Sequence, residues 1–253
     1  MDRYLTSPTG PLEPRFVQPA WFADGLDPAV AYDLAAASYD SWKWQRLWGA
    51  LEWPLIRGLL RQAGVGQSGS SAVLDIGTGT ATYLRNIMNE FGVRDSWGCD
   101  VSEGMLDVAR NKVGDRARFI SSDAGNLDFD DGRFDVVLLC RVSSHLPDVL
   151  RAATEAGRVL RSGGVLIVSD VDPRHPYDQT RLPVMDKKIA VKTYKHSAGE
   201  WRQAMAVGRL GFRRQRTITS RCVWRSGLDD IPTSIETSRN HVISYILSAQ
   251  KVD

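Results

Sequence analysis

From residue 72 to residue 171 the chain alternates short apolar runs with longer stretches in which apolar residues recur every three or four positions. The runs "AVLDI" (72–76), "WGCD" ending at Asp100, "ARFISSD", "FDVVLLC" and "VLIVSD" predict five strands. Between them, "SEGMLDVARNKV" predicts a helix capped by Ser102, and "DVLRAATEAGRVLRSGG" an amphipathic helix closed by Gly163 and Gly164. Strands this apolar on both faces, with helices between them, imply a parallel sheet covered on both sides. Ahead of the sheet, residues 27–62 read as two or three helices. Asp27 caps the first, Pro28 takes its first position and Pro54 interrupts the run. "GVGQSGSS" is then a flexible turn. Behind the fifth strand an irregular stretch over 171–195 precedes a helix, "SAGEWRQAMAVGRL". Two strands without a helix between them, "GFRRQRTITSRCVW" and "HVISYILSAQKV", should pair antiparallel at one end of the sheet. No internal repeat is visible.

Composition narrows the class. With 253 residues, 43% hydrophobic and 25% charged, the chain has the make-up of a globular protein with one large core. A formal charge of +2 without a long single-sign run gives no footprint for a nucleic-acid partner. The three cysteines, Cys99, Cys140 and Cys222, are odd in number and lack CxxC spacing, so neither a disulfide framework nor a metal site is expected, and a reducing cytoplasm fits. The N-terminal segment has neither signal-peptide nor membrane-spanning character, and residues 1–20 are expected to form a mobile tail.

The chemistry concentrates in "VLDIGTGTAT" (73–82). In an open α/β sheet the ligand sits beyond the carboxyl ends of the strands, where the first strand-to-helix turn approaches it most closely. Gly77 and Gly79 allow tight-turn dihedrals and leave no β-carbon in the way, and the following helix offers its N-terminal amides. Asp100, at the end of the second strand, stands where a carboxylate accepts from ribose hydroxyls. Asp75 would repel a pyrophosphate but suits an ammonium-bearing ligand.

These segments resemble class I methyltransferases that use S-adenosylmethionine (SAM). "DIGTGTA" is similar to that family's glycine loop, with Ala81 in place of the third glycine. "GCDVSEGML" is similar to its acidic-strand motif and "SSDAGNLDF" to its adenine segment. "FDVVLLCRVSSHLPD" and "GRVLRSGGVLIVSD" correspond to its fourth and fifth strands. The resemblance implies a Rossmann-like, seven-stranded, mostly parallel sheet with an antiparallel last strand. It also implies a helical lid over residues 21–64 and a SAM-binding domain over 65–253 with a pocket insert at 171–197. In that reading Asp75 and Gly77 hold the methionine amino group, Asp100 the ribose, and Asp123 with Ala124 the adenine amino group. Val101 and Met105 flank the adenine, and Thr78, Gly79 and Cys140 complete the cofactor set.

"YDLAAASYD" (32–40) is similar to the pre-domain helix of quinone-biosynthesis methyltransferases, with Tyr32 and Tyr39 seven apart on one helix face. Tyr39 is then expected at the sulfonium or the acceptor. Tyr32, Trp44 and Tyr194 are expected to line the acceptor pocket, with His145 and His196 as candidate bases, His145 favoured. No metal is implied. The expected function is methyl transfer to nitrogen or oxygen of a small molecule of specialised metabolism, without nucleic acid or membrane as partner, and with the oligomeric state open. Two rivals remain. A dinucleotide-dependent oxidoreductase shares the loop geometry, though Asp75 and Thr82 count against it. A member that holds SAM without transferring methyl would carry the same motifs.

Overall fold

A computed structural model of the chain describes residues 21, 22, 25–67, 70–229, 232, 235 and 240–253. The tail expected over 1–20 and residues 68 and 69 of the glycine–serine turn lie outside the described residues.

A two-residue strand, β1 (Trp21–Phe22), is followed by α1 (Pro28–Ala35), a 3₁₀ turn (Ala36–Ser41), α2 (Lys43–Leu51) and α3 (Trp53–Gln62). Asp27 caps α1 as its sequence predicts, its carboxylate accepting from Ala29 N at 3.0 Å. Pro54 sits in the first turn of α3, where its missing N–H costs nothing, so it starts a helix as well as ending the previous one.

The central part runs β2 (Ala72–Ile76), α4 (Thr82–Phe91), β3 (Asp95–Asp100), α5 (Glu103–Val113), β4 (Arg118–Ser121), β5 (Phe134–Cys140), α6 (Val149–Val159) and β6 (Leu160–Val171). Successive residues of these strands enter opposite cores. Leu74, Ile76, Val137 and Leu139 pack against α6, while Val73, Val136, Leu138 and Ile167 pack against α3, α4 and α5. Both faces are buried, which is why the runs read as continuously apolar rather than alternating.

The segment expected to be irregular contains a hairpin, β7 (Arg181–Val184) with β8 (Lys187–Ala190), and then β9 (Thr193–Tyr194), which pairs with β1. The chain ends with α7 (Ala198–Val207), β10 (Leu210–Thr219), α8 (Ser220–Ser226) and β11 (Val242–Lys251). The seven-stranded sheet has the order β10-β11-β6-β5-β2-β3-β4, with β11 antiparallel to both of its neighbours.

Two expectations need correction. Gly163 and Gly164 do not close α6; the helix stops at Val159, Leu160 is already extended, and the glycines lie in a bulge where β6 slips against β5. The run expected to be strand through Trp224 turns at Ser220 into α8, so a helix does separate the last two strands.

Candidate functional site

Strand order reverses between β2 and β5, and there the carboxyl ends of the strands deliver Gly77, Asp100, Arg141 and Asp170 to one edge of the sheet. Two adjoining cavities open at this edge, of about 410 and 560 Å³.

The first is floored by the glycine loop. Gly77 and Gly79 have φ of +65° and +52°, values that side-chain-bearing residues avoid. Their reasons differ. A β-carbon on Gly77 would lie 2.1 Å from Val142 Cγ2, so its space is taken by the protein, whereas one on Gly79 would meet nothing closer than Tyr39 at 3.9 Å, across the cavity. Ala81, at the third-glycine position, is fully buried and also left-handed at φ +59°.

Asp100 lines the cavity and accepts from Gly79 N at 2.8 Å and from Ser102 N at 3.0 Å. Burial nonetheless raises its carboxyl pKa, with these backbone donors opposing the shift. Val101, Asp123, Ala124, Thr78 and Cys140 line the same space. One Asp123 oxygen accepts from Gly125 N at 2.7 Å. Two residues expected in this wall are not there. Asp75 lies beneath the loop, 1% exposed, accepts from Thr78 Oγ1 at 2.9 Å, and is pushed up to about pKa 7 by burial. Met105 is wholly buried at the start of α5 and belongs to the packing below the cavity. The short-range pattern located both residues correctly but could not tell which way each side chain turns.

Tyr32, Tyr39, Arg141 and His145 line both cavities. The Tyr32 and Tyr39 rings meet edge to face at 5.7 Å. His145 Nδ1 faces the Lys192 carbonyl at 3.1 Å, so it carries the proton and donates there. Nε2 is then the acceptor for the Tyr32 hydroxyl at 2.8 Å. Burial holds His145 below the ordinary histidine pKa and Tyr32 well above the ordinary tyrosine value. The pair is a neutral imidazole bonded to a neutral phenol.

The second cavity is walled by Trp42, Trp44 and Trp48, with Trp44 stacked on Trp48 at 4.9 Å and edge-on to His175 at 6.1 Å. Trp44 thus lines the second cavity, whereas Tyr194 lines the first. His196 lines neither. It is 4% exposed and its Nε2 donates to the Leu146 carbonyl at 2.7 Å, fixing the loop after β5 rather than facing a ligand.

Sequence reasoning passed over Arg141, Asp170 and His175. The first two follow or end an apolar strand at its carboxyl end, a position that itself marks a site residue in an open α/β sheet. Arg141 has φ +66°, its guanidinium lies 3.4 Å from the Trp48 ring centroid, and it pairs with the buried carboxylate of Glu52. No local signal identifies His175, which reaches the wall from the insert.

Among the described residues no group of three or more metal-ligating side chains converges, and no helix is long and apolar enough to cross a membrane.

Residues 74–168 match the family model described as "Methyltransferase domain". A demethylmenaquinone methyltransferase from Staphylococcus epidermidis is 36% identical over 149 residues, covering 54% of this chain and 60% of that protein. A 2-methyl-6-phytyl-1,4-hydroquinone methyltransferase from Synechocystis sp. is 30% identical over 160 residues, covering 62% of this chain and 45% of that one. Among solved structures, an S-adenosylmethionine dependent methyltransferase from Mesorhizobium loti superposes with a TM-score of 0.62 at 17% identity, covering 79% of this chain and 97% of that chain. The chain spans about half the length of the curated relatives it matches. The matched segment is thus similar to a methyltransferase domain, and the sheet shares the Rossmann-like fold of the solved structure.

Proposed function

We propose that the chain transfers a methyl group from SAM in the first cavity to an oxygen or nitrogen of a planar small molecule in the second. The observation that carries this reading is the Tyr32–His145 pair on the wall common to both cavities. A hydroxyl or amine acceptor has to shed a proton, and a neutral imidazole whose Nε2 lone pair is held by a displaceable tyrosine hydroxyl is the group that takes it.

The first cavity suits SAM. Each Asp100 oxygen holds one backbone N–H and keeps a second lone pair for a ribose hydroxyl, Asp123 keeps an oxygen for an adenine amine, and Gly79 leaves space beside Tyr39. When bound, SAM supplies a sulfonium methyl with a neutral leaving group. The protein's share is alignment and exclusion of water. Tyr39 and Tyr32 face the junction with electron-rich rings that favour a cation. The N-terminal helices and the insert act as a lid that closes both cavities. An acceptor hydroxyl displaces the Tyr32 hydroxyl from His145 Nε2, the imidazole takes the proton, and the Lys192 carbonyl stabilises the imidazolium through Nδ1. The tryptophan wall suits a flat ring, and the two curated relatives are named for a quinone and a hydroquinone.

Calorimetry with S-adenosylhomocysteine (SAH) and NAD tests the cofactor assignment. SAH is expected to bind and NAD not to, and Asp100→Ala to weaken SAH binding by about 1.5–3 kcal/mol for each charge-assisted hydrogen bond lost. NAD binding, or an unchanged SAH affinity in the variant, contradicts the assignment.

A further inference from the structure

Three elements meet in a closed ring of polar contacts beside the first cavity. Lys112, in the last turn of α5, pairs with Asp40 Oδ2 at 2.5 Å and donates to Thr80 Oγ1 at 2.8 Å. Thr80 in turn donates to Asp40 Oδ1 at 2.6 Å, so each member contacts both of the others. Asp40 belongs to the 3₁₀ turn after α1, and Thr80 to the glycine loop that floors the cavity. The ring therefore ties the N-terminal segment to that loop.

An exposed ion pair would be worth little. This one is not fully exposed: Thr80 is 2% exposed and the Lys112 side chain 14%, with Asp40 covering them from the solvent side. Burial lowers the Lys112 pKa, nearby Arg85 acts in the same direction, and Asp40 opposes both. Among the described residues Asp40 is the one carboxylate that pairs with this ammonium. Lifting Asp40 away strips a largely buried cation of its counter-charge, which is costly. The backbone at residue 40 is thus held to one place.

The neighbouring residue is Tyr39, whose ring lies 3.9 Å from where a β-carbon on Gly79 would stand, across the cavity. Gln45, from α2, hydrogen-bonds its side chain, and burial keeps the phenol protonated. The ring is therefore fixed at both ends, by Asp40 through the backbone and by Gln45 at the hydroxyl. Such fixing matters for a cation–π contact, which needs the cation within about 6 Å of the ring centroid. Lys112 and Asp40 line neither cavity, so they act on a ligand only through what they hold.

We propose that the Asp40–Lys112–Thr80 ring is a positioning device that sets the Tyr39 ring against the sulfonium of SAM. This rests on the reading of the first cavity as the SAM site. SAM and SAH differ by one methyl group and one positive charge, so the ratio of their affinities reports the contact with the sulfonium and needs no acceptor.

Calorimetry is expected to show the SAM-to-SAH affinity ratio falling about fivefold in Tyr39→Leu, within the range of one cation–π contact, and by a similar factor in Lys112→Met. Asp40→Asn, a change at an exposed position, is expected to match Lys112→Met. In the combination of Tyr39→Leu with Lys112→Met the ratio falls no further than in Tyr39→Leu, because no ring remains to be positioned. A tie that is merely structural weakens SAM and SAH by the same factor; that result in Lys112→Met or in Asp40→Asn overturns the proposal. Full additivity in the combination, or an unchanged ratio in Tyr39→Leu, overturns it as well. If neither SAM nor SAH binds the wild type, the methyltransferase reading itself falls.

Discussion

Asp75 and Asp100 are both strand-end acids with raised carboxyl pKa values, but only one of them faces a cavity. The Asp75 carboxyl titrates near 7 in the folded chain and near 3.8 when unfolded. Below about pH 4 both states are protonated and the group is neutral to stability. Between 4 and 7 the unfolded chain releases its proton first, so stability falls as pH rises and levels off above the folded pKa. His145 and His175, whose pKa values are lowered by burial, act oppositely, destabilising as pH falls below 6.5. Asp75→Asn isolates the first effect. Relative to wild type it is expected to gain stability steadily from pH 4 to pH 7, by up to about 4 kcal/mol at 1.36 kcal/mol per tenfold of proton affinity. Denaturant titrations at several pH values measure the difference; a difference that does not change with pH refutes the account of Asp75. Residue identities were legible in the sequence where a motif fixed them, as at Gly79, Asp100 and Asp123. The inward turn of Asp75 was not, since the motif specifies a position in the chain and not the direction of a carboxylate.

Element by element, the N-terminal helices are tied to the rest of the fold by polar contacts as well as by apolar packing. Asp33 accepts from Ser102 Oγ at 2.6 Å and Gly104 N at 2.9 Å, placing a negative charge at the N-terminus of α5. Asp40 accepts from Thr80 Oγ1 at 2.6 Å and pairs with Lys112 at 2.5 Å. Ser38 donates to the Pro183 carbonyl of the β7–β8 hairpin at 2.8 Å. If these helices open to admit ligands, Asp33→Ala should lower their opening free energy by about 1 kcal/mol, at the weak end for bonds to a charged group because Asp33 is exposed. Hydrogen exchange over residues 28–41 is then about fivefold faster than in wild type, and SAH restores the protection. Unchanged exchange would mean that the Asp33 bonds do not hold these helices closed. Caps at Asp27 and Ser102 were legible because their side chains bond locally. The β7–β8 hairpin was not. Its turn, Met185–Asp186, lacks the asparagine–glycine signature although Met185 takes φ +51°, and Pro183 sits inside a strand of only four residues, where proline argues against strand pairing.

At the scale of the whole molecule, the sheet and the first cavity come from one continuous segment whose hydrophobic period and motif order can be read directly. The second cavity is assembled from Tyr32 and the tryptophans before the sheet, Arg141 and His145 at its centre, and His175 to Pro183 in the insert. Nothing in any of those stretches alone announces a common wall. That assembly makes the central claim testable in one experiment: single-turnover transfer of the labelled methyl of SAM to planar phenols and aryl amines, followed against pH in wild type and in His145→Gln. The account predicts an O- or N-methylated product from wild type, and about a 100-fold slower step in His145→Gln at unchanged SAH affinity, within the usual range for a lost general base. Label that stays on SAM with every acceptor, or a variant that transfers at the wild-type rate across the pH range, would contradict it.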